Sequence, residues 1–207
     1  MTTRAVAAFD FDGTLTRRDT LVSFLTTVVG RGTVARALGA ESARLALVAV
    51  GRGDRDATKE RVLTRALAGR SYAEVEAAGR AFGAELARSA ITPDGRDRIA
   101  WHLAAGHEVV IVSASLEVYL AEVARALGIE HLLSTALLAD AAGRCTGGLR
   151  GANCRGPEKA RRLRALLGGD DVELWAYGNS HGDDEMLALA QHPVRFRRGR
   201  MRTDPRG

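Results

Sequence analysis

Residues Ala8–Thr16 read AFDFDGTLT, so two aspartates, Asp10 and Asp12, stand at the end of an apolar run. The run is short, and the DGT tripeptide that closes it is typical of a tight turn after a buried strand. In open α/β sheets, ligands bind beyond the carboxyl ends of the strands. We therefore expect the two carboxylates to serve a ligand. An Asx turn with no ligand is the alternative interpretation.

The hydrophobic pattern changes twice after this stretch. Between residues 20 and 90, apolar residues recur every three or four positions in segments separated by glycines, which predicts helices and no strand. From Ile91 onward, helix and strand patterns alternate, beginning with a helix capped by Thr92 and the buried strand His107–Ser113. This alternation predicts an α/β fold with a Rossmann-like parallel sheet and helices on both faces.

The same patterns predict the remaining elements and the domain organisation. Further helices are expected at 116–128, 157–168 and 182–190, and further strands within 131–149 and at 171–178 and 192–196. We expect residues 1–16 and 91–207 to form the α/β core domain and residues 17–90 to form an inserted helical cap.

Composition indicates an ordinary globular chain. Its 207 residues are 46% hydrophobic and 27% charged, with a formal net charge of +5. Much of the positive excess lies in Arg195–Gly207, which we expect to be a solvated, partly disordered tail. Attraction to anionic lipid headgroups is the alternative. We expect no nucleic-acid partner, because base stacking needs aromatic side chains and this segment contains only Phe196.

The sequence favours a reduced, cytoplasmic protein. Cys145 and Cys154 are too few and too widely spaced for a zinc or redox motif. The N-terminus reaches charged residues too soon for a signal peptide. Two apolar runs, LVSFLTTVVG and ARLALVAVG, each fall short of the roughly 20 residues that a membrane-spanning helix needs. Peripheral contact with a membrane stays open, and the oligomeric state is not readable.

Four polar clusters follow predicted strands or open the next helix: Asp10 with Asp12, Ser113 with Ser115, Lys159, and the segment Gly178–Asp184. Because the carboxyl ends of parallel strands meet at one edge of a sheet, these clusters should converge. Crowded carboxylates repel one another unless a cation lies between them, and an oxygen-rich site suits Mg²⁺. The chain has no Walker A motif, no GxGxxG motif after its first strand and no EF-hand loop.

Together the clusters resemble the four motifs of the haloacid dehalogenase superfamily. The motifs read DFDGTLT, VVIVSAS, CRGPEK and AYGNSHGDDEML, and the resemblance runs from about Arg4 to Phe196. Subfamily IB, the phosphoserine-phosphatase-like branch with a helical cap between the first two motifs, is the most similar. The segments NCRGPEK and YGNSHGDDEMLALAQHP are also similar to bacterial phosphatidylglycerophosphatases of this branch.

This resemblance implies a Mg²⁺-dependent phosphoric monoester hydrolase that forms an aspartyl-phosphate. Asp10 would be the nucleophile, and Asp12 would be the general acid and then the base, with its carbonyl on the metal. In an extended chain, residues i and i+2 point the same way, so both carboxylates can face one phosphate. Asp10, Asp12, Asn179 and Asp183 would hold Mg²⁺. Asn179 stands where many relatives carry an acid, so we expect weakened metal binding.

The resemblance also implies a phosphate site. Ser113, the backbone N–H of Ala114 and Lys159 would hold the phosphoryl oxygens. Asp19 lies where the branch commonly carries an acidic substrate contact, and a helix cap is the equal alternative. Arg61 lies near an arginine expected in the cap.

The substrate class stays open between a small phosphorylated metabolite, such as phosphoserine, and a lipid phosphate, such as phosphatidylglycerophosphate. Phosphotransfer to another acceptor is a further alternative. A phosphonatase lacks support, because Lys59 is the only lysine of the predicted cap and its sequence context does not distinguish it. A non-catalytic module that binds phosphoryl ligands is the alternative of another class.

Overall fold

A computed structural model describes residues 4–169 and 171–202. Its strands are Arg4–Phe9 (β1), Glu108–Leu116 (β2), His131–Thr135 (β3), Leu137–Ala139 (β4), Cys145–Leu149 (β5), Val172–Gly178 (β6), His192–Arg197 (β7) and Arg200–Met201 (β8). Six of them form one sheet in the order β3-β2-β1-β6-β7-β8, while β4 and β5 pair separately. The sheet is parallel apart from the antiparallel β7–β8 pair.

The helices are Leu21–Ala40 (α1), Ser42–Ala49 (α2), Arg55–Leu67 (α3), Tyr72–Ser89 (α4), Pro93–Ala104 (α5), Glu117–Ala126 (α6), Pro157–Leu167 (α7) and Asp184–Leu187 (α8). Four of them, α1–α4, fill the segment in which helices were predicted. Thr92 caps α5 as expected, since its side chain accepts from the N–H of Gly95. The division into a core and a cap domain stays a prediction.

Strand β1 separates two hydrophobic cores. Successive side chains of a strand point to opposite faces. Val6 and Ala8 pack with Leu163 of α7 on one face, whereas Ala7 and Phe9 pack with Ile99 of α5 on the other. Helices therefore cover both faces, which confirms the predicted α/β class.

The strand order places a ligand-binding crevice at the end of β1. The chain runs from β1 to β2 and β3 on one side of the sheet, and β6 and β7 lie on the other. At such a switch point, the loops after neighbouring strands diverge and leave an opening. The loops after β1 and β6 and the last residues of β2 carry the aspartates and serines selected from the sequence.

Helix α1 is longer than the apolar run Leu21–Gly30 that the sequence shows. By length and composition alone the helix could cross a membrane, with a mean hydropathy of 1.2 over its apolar window. Its second half contains Arg31 and Arg36. Gly30, with a φ of 77° and a ψ of 157°, interrupts the helical backbone between the two halves. Core helices of globular proteins meet the same criterion, but only 22% of this window is buried, Phe24 and Leu25 among it.

The arginine-rich segment is also more ordered than expected. Arg195–Arg197 belong to β7, and Phe196 is 2% exposed because it packs in the core. After a turn at Arg198 and Gly199, residues Arg200 and Met201 form β8, which was not predicted from the sequence. The N–H of Gly199 donates to Gly13 O over 3.0 Å, so the β7–β8 turn lies on the loop after β1. Residues 203–207 lie outside the described part of the chain.

Two further boundaries differ from prediction. Strand β2 continues to Leu116, three residues beyond Ser113, because its register with β3 shifts between Val112 and Leu116. The last predicted helix is shorter, since a 3₁₀ turn, His181–Asp183, precedes the four residues of α8. Ser180 and Asp183 instead form a capping box. The side chain of Ser180 accepts from the backbone N–H of Gly182, and the side chain of Asp183 accepts from the backbone N–H of Ser180.

Candidate active site

The loop after β1 is a tight turn that presents two carboxylates. Asp10 N donates to Tyr177 O of β6 over 2.8 Å, and Thr16 N closes the turn on Phe11 O over 3.0 Å. Gly13 has a φ of 83°, which is costly for a side-chain-bearing residue. A Cβ built on Gly13 would lie 1.9 Å from Asn179 Nδ2. The glycine therefore lets Asn179 lie directly against the turn.

Lys159 joins the loops after β1 and β6. Its Nζ donates to Asp10 Oδ1 over 2.5 Å and to Asp183 Oδ1 over 2.6 Å, and its side chain is 2% exposed. Pro157 starts α7 two residues earlier, so the lysine lies in the first turn of the helix. The other oxygen of Asp10 accepts from Thr14 Oγ1 over 3.0 Å. The structure thus brings Asp10, Lys159 and Asp183 together.

Burial and charge set the protonation of this group. Burial raises the pKa of Asp10, and the Asp183 carboxylate adds to the rise, while Lys159 opposes it. Burial also tends to raise the pKa of Asp183, but Lys159 and the backbone N–H donors hold it below its usual range. The pKa of Lys159 is raised because the two carboxylates outweigh its desolvation. The two carboxylates therefore favour the charged form of Lys159 beside Asp10.

Asp12 lies in a different environment. Its Oδ1 accepts from Thr20 N at 3.0 Å and Thr20 Oγ1 at 2.9 Å, and Ser115 Oγ donates to its Oδ2. Burial, with the charge of Asp19 next, raises the pKa of Asp12 to about 7. A carboxyl group with such a pKa can give and take a proton near neutral pH.

The last residues of β2 lie beside Asp12. Ser113 is 1% exposed, and its Oγ accepts from Ser115 N over 3.1 Å. The register of β2 with β3 shifts between Val112 and Leu116, and such irregularities re-aim backbone and side chains next to active sites. Ser113, Ala114 and Ser115 all line the same cavity as Asp10 and Lys159.

That cavity has a volume of about 600 Å³. Its base is polar, whereas helices α1 and α2 give it an apolar wall of Leu21, Val22, Leu25, Leu38, Leu45 and Val48. Asp19 lines the cavity, and its Oδ1 accepts from Leu21 N over 2.9 Å at the start of α1, while its contact with a substrate stays a prediction. Arg61 is exposed and lies outside the lining, whereas Lys59 is part of it.

Sequence reasoning missed Lys59 and Asn153. Lys59 Nζ donates to Ala114 O over 2.5 Å and to Asn153 Oδ1 over 2.7 Å. Burial lowers the pKa of Lys59 to about 8, with Asp56 the largest opposing charge. The available signal was the scarcity of lysine: among 30 lysine and arginine residues, only Lys59 and Lys159 are lysines. Both line the cavity.

The oxygen donors of the site fit Mg²⁺. The carboxylates of Asp10 and Asp183 exceed the single charge of Lys159, so their cluster attracts a further cation. Asn179 adds an amide, and hard oxygen donors suit Mg²⁺. In the described ranges, no three His, Cys, Asp or Glu side chains are placed to hold a metal ion. A site here therefore also needs amide and backbone oxygens.

Asp183 has contacts unlike those expected of a direct ligand. Its Oδ2 accepts from Asn179 N at 3.0 Å, Ser180 N at 2.9 Å and Ser180 Oγ at 3.0 Å, while Oδ1 accepts from Lys159. Three of these donors lie on Oδ2 and one lies on Oδ1, so the carboxylate already accepts four hydrogen bonds. The geometry makes Asp183 the holder of Lys159 and of the loop that carries Asn179.

The chain is similar to known proteins of one family. The family model for haloacid dehalogenase-like hydrolases matches residues 7–188. A protein named CicA from Caulobacter vibrioides is 38% identical over 185 residues, which are 89% of this chain and 82% of that protein. A protein named phosphoserine phosphatase from Mycobacterium tuberculosis is 31% identical over 197 residues, covering 89% and 62% of the two chains.

Solved structures agree with this comparison. A Bordetella pertussis protein of unknown function superposes with a TM-score of 0.76 at 29% identity, covering 91% of this chain and 87% of that one. An apo phosphoserine phosphatase superposes with a TM-score of 0.62 at 19% identity, covering 93% and 85%. At the latter identity the likeness concerns the fold alone.

Proposed function

Because the chain belongs to the haloacid dehalogenase-like hydrolase family, we propose that it is a Mg²⁺-dependent phosphomonoester phosphatase. The proposal rests on one observation above all: a buried lysine holds Asp10 at the end of β1, while Asp12 is held separately two residues later. Two neighbouring carboxylates in such different environments suit two different tasks.

In the first half-reaction, Asp10 attacks phosphorus and forms an acyl-phosphate bond as the ester oxygen leaves with the bonding electron pair. Asp12 gives its proton to that oxygen. Lys159, Ser113 and the N–H of Ala114 hold the phosphoryl oxygens and offset their charge.

In the second half-reaction, Asp12 acts as the base. It takes a proton from water, the water oxygen attacks phosphorus, and the bond to Asp10 breaks to release inorganic phosphate. A pKa of about 7 lets one carboxyl group serve in both directions near neutral pH.

Asp10, the carbonyl of Asp12, Asn179 and Asp183 are the residues we propose for Mg²⁺, with Asp183 acting mainly through Lys159 and the loop of Asn179. When bound, the ion supplies charge neutralisation between the Asp10 carboxylate and the incoming phosphoryl group.

The test is hydrolysis of p-nitrophenyl phosphate with and without EDTA. We expect Asp10→Asn to lower kcat at least about a thousandfold, as loss of a nucleophile does, and Asp97→Asn, an exposed control, to change nothing. Mass analysis of a quenched reaction should place the phosphoryl adduct on Asp10. Full activity of Asp10→Asn, or an adduct elsewhere, would refute Asp10 as the nucleophile. No hydrolysis by the wild-type protein in the presence of Mg²⁺ would leave a binding module as the alternative.

The lining of the cavity favours one of the two candidate substrate classes, a lipid phosphate such as phosphatidylglycerophosphate. An apolar wall suits hydrocarbon chains, and five arginines, Arg17, Arg197, Arg198, Arg200 and Arg202, line a groove that shares Arg17 with the cavity. The name of the M. tuberculosis relative supports phosphoserine instead.

Two substrates separate these candidates. If the wall binds acyl chains, Leu45→Asn should lower kcat/KM about tenfold for dioctanoyl phosphatidic acid, in line with the loss of one buried aliphatic side chain. It should leave glycerol 3-phosphate unaffected. Leu47→Asn is the matched control, because Leu47 is 49% exposed and outside the cavity lining. Equal effects on both substrates would remove the lipid candidate.

A further inference from the structure

The two lysines of the chain have different surroundings within one cavity. Lys159 lies between carboxylates, whereas Lys59, on α3, donates to two neutral acceptors, Ala114 O and Asn153 Oδ1. A lysine ammonium is a compact charge on a flexible stem, which suits such single acceptors better than a planar guanidinium does. In an arginine-rich chain, this placement indicates a specific role.

Asn153 fixes the position from which Lys59 reaches the loop. Its Nδ2 donates to Asp56 Oδ1 over 2.7 Å, and Thr135 Oγ1 donates to its Oδ1 over 2.9 Å. Asp56 and Lys59 lie on α3, while Thr135 ends β3. Asn153 therefore joins helix α3 to the end of strand β3. The backbone of Lys59 is fixed in α3, and its ammonium group is fixed by Ala114 O and Asn153 Oδ1.

The acceptor Ala114 O belongs to the peptide group that also contains Ser115 N. That N–H donates to Ser113 Oγ over 3.1 Å, so Lys59 of α3 holds one end of the peptide and Ser113 of β2 holds the other. Ser115 Oγ in turn donates to Asp12 Oδ2. A continuous series of contacts thus runs from Lys59 through a single peptide group to the proposed proton donor.

We propose that Lys59 is a positioning residue: by holding the Ala114–Ser115 peptide, it sets the orientation in which Asp12 protonates the leaving oxygen. This inference rests on the proposed phosphatase function and adds a residue of α3 to it. Asp12 then has its working geometry only while α3 is docked on the sheet.

The leaving group provides the test. Substituted phenyl phosphates share one shape but differ in how much their oxygen needs a proton as it leaves: p-nitrophenolate hardly needs one, while p-methoxyphenolate does. The ratio kcat/KM reports only the steps up to phosphoryl transfer, so hydrolysis of the intermediate does not enter the comparison.

We expect Lys59→Met to lower kcat/KM about 10- to 100-fold for p-methoxyphenyl phosphate, the range typical of lost supporting contacts. For p-nitrophenyl phosphate the loss should be under about threefold, since that leaving group needs little acid catalysis. Arg61→Met, an exposed cation of the same helix, is the matched control and should show neither effect. Equal losses across the series, or none, would overturn the inference.

A second variant keeps the test decisive if Lys59→Met perturbs folding. Ser115→Ala removes the next contact in the series, so it should show the same dependence on the leaving group. The double variant should be no worse than Ser115→Ala alone, because both act through one route. Additive losses would contradict that route. Inactive wild-type protein would instead refute the phosphatase function itself.

Discussion

At the scale of single residues, Asn179 is the position where the site departs from the pattern expected of its relatives. Its amide lies against Gly13 and beside Asp10, and it supplies no negative charge. We expect Asn179→Asp to lower the Mg²⁺ concentration for half-maximal activity about threefold to tenfold, because ligand charge raises cation affinity. Metal titration of p-nitrophenyl phosphate hydrolysis measures this.

The same substitution should have the opposite effect on the metal-free protein. A third carboxylate near Asp10 and Asp183 adds repulsion, so the free energy of unfolding in EDTA should fall. Asn179→Ala serves as the comparison, since it removes the amide without adding charge. An unchanged Mg²⁺ midpoint in Asn179→Asp would contradict a ligand role for residue 179.

His102 gives a pH prediction. Its Nε2 lies 2.8 Å from the Tyr177 hydroxyl and its Nδ1 lies 2.8 Å from His107 Nδ1. Burial, with the nearby His107 next, lowers the pKa of His102 to about 3. Between that value and the unfolded value of about 6.5, only the unfolded chain binds the proton. Stability is therefore full above pH 6.5 and falls as the pH drops toward 3.

We expect His102 to lower the free energy of unfolding by about 1–2 kcal/mol when the pH falls from 7.5 to 5, from 1.36 kcal/mol per unit of pKa difference. Urea unfolding of wild type and His102→Gln at the two pH values measures it, because the variant should lose less on acidification. His181→Gln is the control, its side chain being 99% exposed. Equal pH dependence in wild type and His102→Gln would rule the explanation out.

At the scale of elements, α4 packs on α6 through glycines one turn apart. A Cβ on Gly79 would lie 2.3 Å from Val118 O, and one on Gly83 would lie 2.3 Å from Tyr119 O. We expect Gly79→Ala and Gly83→Ala each to destabilise the protein by about 1–3 kcal/mol, because the backbone contact outweighs the better helix propensity of alanine. Thermal unfolding measures the effect.

The control for this pair is Gly32→Ala in α1, where nothing lies within 4 Å of an added Cβ. There only helix propensity acts, so stability should rise by up to about 1 kcal/mol. Stabilisation in all three variants would mean that α4 and α6 do not approach as closely as described.

The elements also show what a sequence can and cannot predict. Strands β1, β2 and β6 were predictable because each is a short apolar run that ends in a polar cluster, and Thr92 signalled the start of α5. Strand β8 was missed because it has only two residues, Arg200 and Met201, in an arginine-rich segment. Its pairing with β7 decides its structure.

At the scale of the whole molecule, the metal-free protein should stay folded because Lys159 already neutralises part of the carboxylate charge. Mg²⁺ at 100 times its dissociation constant should then add about 2.7 kcal/mol of stability. For a chain of this size, the unfolding temperature should rise by roughly 5–10 °C. Calorimetry with and without EDTA measures the shift.

Asp10→Asn is the matched control for that measurement. It keeps the shape of the site and removes one ligand charge, so most of the Mg²⁺-dependent shift should disappear. A full shift in Asp10→Asn would place the ion somewhere else on the molecule.

The site was predictable from sequence only where its residues belong to contiguous motifs. Asp10, Asp12 and Lys159 follow from strand ends, the motif pattern and the convergence of loops in a parallel sheet. The contacts of Lys59 join residues 55 and 94 positions apart. They depend on how α3 docks, which no local pattern encodes.

The central place of β1 has a consequence during synthesis. Its partners are β2, about a hundred residues later, and β6, which begins at Val172. A growing chain therefore exposes an apolar strand through most of translation, while the helices that follow it can form locally. Chaperones that hold extended apolar segments should engage the nascent chain early and release it only after β6 has emerged from the ribosome.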